Sequence, residues 1–148
     1  MRRIAFVCAI GAMCVGSPLL EGCGDPQARA KAMVACFDAD DAADVQFSKA
    51  SQDQQLDAAK SPGELHDALT KALEACRPVV PMFSVDSSNQ KLAEASKICK
   101  AAYRLKIQSF QNVLNGVYDN ATLVALYEGK DLVIQCKAAG RAIGGLSG

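Results

Sequence analysis

The chain has no tryptophan, a single histidine and only five prolines among its 148 residues, and aromatic side chains make up just 5% of it. A core this poor in aromatics must rest on Ala, Leu, Val and Ile, which favours closely packed helices over a wide aromatic pocket. An excess of charge is also missing, since 16 Lys and Arg balance 16 Asp and Glu. Such a balance gives no electrostatic footprint for nucleic acid, and no nucleic-acid partner is expected. The recognisable marks of catalysis are absent too: no strand-turn-helix nucleophile motif, no glycine-rich phosphate loop, no carboxylate pair in a known motif, no CxxC. The sequence therefore predicts a protein that is not an enzyme and that carries neither cofactor nor metal.

Long apolar runs are scarce, and the longest uncharged one stands at the start. Met1-Arg2-Arg3 precedes 13 residues without a charge, Ile4 to Gly16. A basic n-region and a run of that length make a signal peptide, too short for the ~20 residues of a permanent membrane span. Residues 1–22 are assigned to it, and residues 23–148 to a single domain. The remainder carries 14 basic and 15 acidic residues, a formal charge of −1.

Five of the seven cysteines lie beyond that segment: Cys23, Cys36, Cys76, Cys99 and Cys136. An odd number in an oxidising compartment leaves one to be explained. Leu20-Glu21-Gly22-Cys23 matches a bacterial lipobox at every position except the charged Glu21. Acylation of Cys23 leaves four cysteines for two disulfides, whose pairing spacing alone does not select. Plain secretion, with one cysteine free or bonded to another chain, is the alternative.

Beyond the anchor question, the pattern is helical. Asp25-Pro26 starts a first helix ending near residue 37, and a less regular second helix, or a bent continuation of the first, covers about 41–59. Ser61-Pro62-Gly63-Glu64 opens a third. In it Leu65, Ala68, Leu69, Ala72, Leu73 and Cys76 fall on one face, and Arg77-Pro78 ends it. The connection Val79 to Val85 is too apolar to be a solvated loop and is expected against the helices. Residues 88–115, capped at Ser87-Ser88-Asn89-Gln90 and stopped at Asn115-Gly116, form the central helix. The segment 122–136 reads either as a helix interrupted at Gly129 or as a hairpin turning at Glu128-Gly129-Lys130-Asp131, and a glycine-rich tail follows from about 140. The architecture predicted is all-α, a disulfide-stapled bundle of four or five helices, with an α+β alternative should 122–136 form the hairpin.

Few residues stand out as sites. Asp38, Asp40, Asp41 and Asp44 fail as a calcium loop, having Ala43 where glycine is needed and Lys49 where glutamate is needed, so they read as a solvated, helix-capping turn. Lys97, Lys100 and Arg104, with Lys106 nearby, share a face of the central helix with no acidic residue at i+3 or i+4 to neutralise them. That stripe is the candidate partner-binding surface. His66 beside Asp67 reads as an exposed first-turn histidine. Asn120-Ala121-Thr122 is a glycosylation sequon that matters only in a eukaryotic producer.

The function these features predict is that of an exported, non-catalytic protein-binding module. It would act on another exported or envelope protein; as a small envelope lipoprotein it would pilot, inhibit or neutralise that protein, with a lipid on Cys23 as its membrane link. Its place would be the periplasm and cell envelope, or the extracellular medium after secretion. The alternative is a secreted helical carrier of a small apolar ligand, with residues 79–85 as its lid.

Overall fold

The structure is a computed structural model that describes residues 26–60, 63–83 and 88–144. Among them there is no strand; four long helices run α1 Pro26–Gln52, α2 Glu64–Cys76, α3 Gln90–Leu114 and α4 Asn120–Gly144, with short 3-10 turns at Leu56–Lys60 and Val80–Met82. The chain is thus the all-α bundle that the pattern predicts. The signal segment, Cys23, Ser61-Pro62, residues 84–87 and the last four residues of the tail lie outside the described residues.

Each helix buries a stripe with the alternating three- and four-residue steps of a bundle seam. In α1 the stripe is Met33, Cys36, Asp40, Ala43, Phe47 and Ala50; in α3 it includes Leu92, Ala95, Cys99, Ala102, Lys106, Ser109 and Val113. Leu65, Leu69, Ala72 and Cys76 supply it in α2, and Thr122, Leu126, Gly129, Val133 and Cys136 in α4. Two of these core positions hold charges, Asp40 and Lys106.

Several boundaries follow the capping chemistry. The Asn89 side chain accepts the amide hydrogen of Leu92 at 3.3 Å and starts α3; Asp119 Oδ1 accepts that of Thr122 at 2.7 Å and starts α4. These bonds occupy amides that a helix start otherwise leaves orphaned. The Thr122 amide bond also holds the Asp119 carboxyl below its ordinary range. Gly116, at φ 76°, reverses the chain after α3 in a conformation that costs other residues about 1–2 kcal/mol. The N-cap of α2 is Gly63, whose backbone is extended and which offers no side-chain acceptor.

The structure decides between readings that the pattern left open. The segment after residue 37 is the continuation of the first helix and not a second one: α1 runs on to Gln52 because its seam continues through the aspartates without a break. Residues 122–136 are helical, so the hairpin alternative falls: Gly129 sits inside α4, buried on its seam. Residues 140–144, expected to belong to the tail, continue α4 to Gly144.

Disulfides join Cys36 to Cys76 and Cys99 to Cys136. Each cross-links two consecutive helices, α1 to α2 and α3 to α4, and the bundle becomes two stapled hairpins. Their sequence separations of 40 and 37 residues correspond to about 4 kcal/mol of stabilisation each in the chain-entropy account. Paired cysteines of this kind belong to an oxidising environment. No helix among the described residues is long and apolar enough to cross a membrane.

The core divides into two apolar clusters. One gathers both disulfides with Met33, Val79, Phe83, Ala102, Tyr103 and Val133; the other holds Ala43, Phe47, Leu65, Leu69, Phe110, Val113 and Leu126. Val79 and Phe83 are fully buried, so the described part of the apolar connection, 79–83, does lie against the helices. Asp40, Lys106 and Gly129 fall between the two clusters along α1, α3 and α4.

Candidate functional site

The two sides of α3 carry opposite chemistry. Its outward side presents Lys97, Lys100 and Arg104, with Gln108 and Gln111 continuing the row at the same helical spacing. Lys97 and Arg104 are exposed and Lys100 half-buried, and none of the three has an ion-pair partner among the described residues.

Beside this row the connection after α2 folds back, and the two enclose an open groove of about 500 Å3. Its cations are Arg77, Lys100 and Arg104, its apolar floor is Val80, Pro81 and Ile107, and Gln108 and Gln111 complete the lining. Among the described residues no acidic side chain contributes to it. Arg77 is held along α3 by an Nη2 hydrogen bond to Gln111 Oε1 at 3.1 Å. The structure thus brings Lys100 and Arg104 together with Arg77, which no spacing in the sequence joins to them, and leaves Lys97 outside the groove. Chemically, the groove offers two guanidinium forks and an ammonium around an apolar patch, a setting for carboxylates carried on an apolar segment.

Lys106 does not belong to that stripe. It points the other way, into the core, with only 1% of its surface exposed. Its ammonium lies 3.1 Å from Asp40 Oδ1, pairs more closely with Asp44 Oδ1, and sits 4.6 Å from the centre of the Phe110 ring. The aspartates are therefore not a solvated turn between helices. Asp40 is buried, Asp44 is mostly covered, and Asp41 on the outer edge pairs with Lys137 of α4 at 2.7 Å. Asp38 remains exposed.

This cluster carries one negative charge too many for its cation. Asp40 meets Lys106 as an ion pair without hydrogen-bond alignment, and its Oδ2 has no hydrogen-bond partner among the described residues. Burial is the largest influence on its carboxyl and pushes it from the ordinary 3.8 up to about 6; Lys106 opposes that rise and Asp44 adds to it. The nearby Tyr103 is fully buried, its hydroxyl unpartnered and its ring stacked with Phe37 and Phe83 at 5.7 and 6.1 Å. Burial, reinforced by Asp40, holds that phenol protonated well above its usual range.

Gly129 makes room for the cluster. A Cβ there would stand 3.0 Å from Lys106 Cγ and 3.2 Å from its Cδ, so the lysine stem occupies the space a side chain would need. Local sequence offered one signal for this layer: Asp40 and Lys106 each fall on the three-and-four spacing of an otherwise apolar stripe.

The remaining candidates are peripheral. His66 is half-buried with its Nδ1 3.3 Å from Asp67 Oδ1, an interaction between neighbours on the surface of α2. Asn120 is exposed at the first position of α4. Among the described residues no group of three His, Cys, Asp or Glu side chains is placed to hold a metal ion. No protein-family model matches the chain, no curated protein matches it, and no solved structure matches it.

Proposed function

We propose that the protein is an exported, non-catalytic binding module that docks an acidic segment of another exported or envelope protein. The observation that carries this reading is the groove of Arg77, Lys100 and Arg104, three cations around an apolar floor with no carboxylate in the lining among the described residues. Cations placed this way attract a complementary partner at long range and fix its register on contact. Two disulfides and the Arg2-Arg3 leader support action outside the cytoplasm. Acylation of Cys23 would hold the module at a membrane, with α1 starting three residues later at Pro26. The carrier alternative requires the 79–85 connection to swing open as a lid, and the full burial of Val79 and Phe83 favours docking over it.

The test is an NMR titration with a synthetic peptide alternating Glu and Leu, beside the same peptide with Gln for Glu. Salt-sensitive shifts confined to the groove amides are expected from the first peptide alone. They should disappear in the Lys100→Glu, Arg104→Glu variant. Equal shifts from both peptides, or binding that survives the charge reversal, would overturn the proposal.

A further inference from the structure

On its side away from α3, α4 shows a second unusual surface. Val124, Tyr127 and Ile134 are 47%, 58% and 56% exposed, three of the five large apolar side chains that face solvent among the described residues. At 100° per residue they fall within an 80° arc, with Asp131 inside the same arc and Glu128 on its flank. The stripe lies diametrically opposite the buried one of Leu126, Gly129, Val133 and Cys136, so it points straight out of the bundle and cannot reach the groove of its own molecule. Lys130, at the stripe's other edge, turns to the depression it lines with Asp44 and Lys49.

This stripe has the chemistry the groove calls for. It joins apolar side chains to two carboxylates one helical turn apart, while the groove joins an apolar floor to three cations and, among the described residues, no carboxylate. Tyrosine and arginine are the residue types that most often dominate contact energies, and here an exposed Tyr127 would meet Arg77 and Arg104. With 14 basic and 15 acidic residues beyond the leader, the chain carries almost no net charge to keep two copies apart.

We propose that the groove receives α4 of a second copy of this chain, so that the molecules associate head to tail through Tyr127, Glu128 and Asp131 of one copy and Arg77, Lys100 and Arg104 of the next. The inference rests on the reading of the groove as a site for acidic segments and names one such segment. Because the two surfaces differ, the contact is heterologous: each copy keeps one free groove and one free stripe, and assembly continues as concentration rises.

The experiment uses two variants altered only at exposed positions, a groove variant, Arg77→Glu with Arg104→Glu, and a stripe variant, Tyr127→Ala with Asp131→Lys. Sedimentation velocity is run on each, on their equimolar mixture and on the unaltered protein, with thermal melts to establish that all are folded. The unaltered protein should grow in mass with concentration and shrink again at high salt. Each variant alone should lose this growth. Their mixture should form a heterodimer and nothing larger, because one variant retains the only working groove and the other the only working stripe. An unaltered protein that stays monomeric up to millimolar concentration would refute the inference, as would a variant that assembles undiminished or a mixture that stays monomeric. Groove shifts with the acidic peptide, in a protein that never self-associates, would sink this inference and leave the docking function standing.

Discussion

Replacing Asp40 by Asn should stabilise the protein at neutral and higher pH, although it removes one half of a buried ion pair. The buried layer holds two carboxylates and one ammonium, and Asp40→Asn leaves Lys106 balanced by Asp44. Burial raises the Asp40 carboxyl from 3.8 to about 6, so between those values the folded state holds a proton that the unfolded chain has released. The stability this group contributes is full below about pH 3.8 and is lost as pH rises through about 6. That difference corresponds to about 3 kcal/mol as an upper bound, and Asn, which is neutral at every pH, keeps it. Urea unfolding at about pH 8 should place the variant roughly 1–3 kcal/mol above the parent, an increase in Tm of about 4–10 °C. The gap should narrow through pH 6 and close near pH 4. A variant less stable than the parent at pH 8, or a gap that ignores pH, would refute the argument and make Asp40 a net stabilising partner of Lys106.

Two further substitutions probe the same layer. Lys106→Met leaves Asp40 and Asp44 facing each other without a cation, and it should cost about 3–5 kcal/mol at neutral pH, with much of the loss recovered in mild acid, as read by urea unfolding at both pH values. Gly129→Val places a branched side chain where the Lys106 stem already lies, and thermal unfolding should report a loss of about 1–3 kcal/mol; a melt like the parent's would mean that α4 does not approach α3 as closely as described.

How far the sequence revealed this arrangement depended on how apolar each seam was. The stripe of α2 is made of Leu, Ala and Cys, and its helix was evident from spacing and from the proline beyond its end. The stripe of α1 carries the same information, but Asp40 and small alanines occupy its middle, and four aspartates within seven residues look like a surface turn. Only the partner across the core, Lys106, makes Asp40 intelligible, and the two are 66 positions apart. Gly129 misled for a related reason: a glycine suggests a break when only its neighbours in sequence are considered, whereas the neighbour that demands it is a lysine on another helix. Half of the groove was legible as the charged row on α3. Arg77 was not, because the fold-back after α2 sets it beside that row.

The order of the disulfides bears on how the chain is made. Cys36 pairs with Cys76 and Cys99 with Cys136, each with the next cysteine along, so the bonds neither cross nor enclose one another. A chain that appears N-terminus first presents its thiols in the order in which they belong together. An oxidant that joins cysteines as they emerge then yields the native pairs directly, and the first hairpin can be closed before the second has appeared. Cys23 would disturb that sequence, since it emerges ahead of Cys36. A free thiol there could capture Cys36 or Cys76 before these two meet, so whatever takes Cys23 out of the exchange also protects the order of pairing.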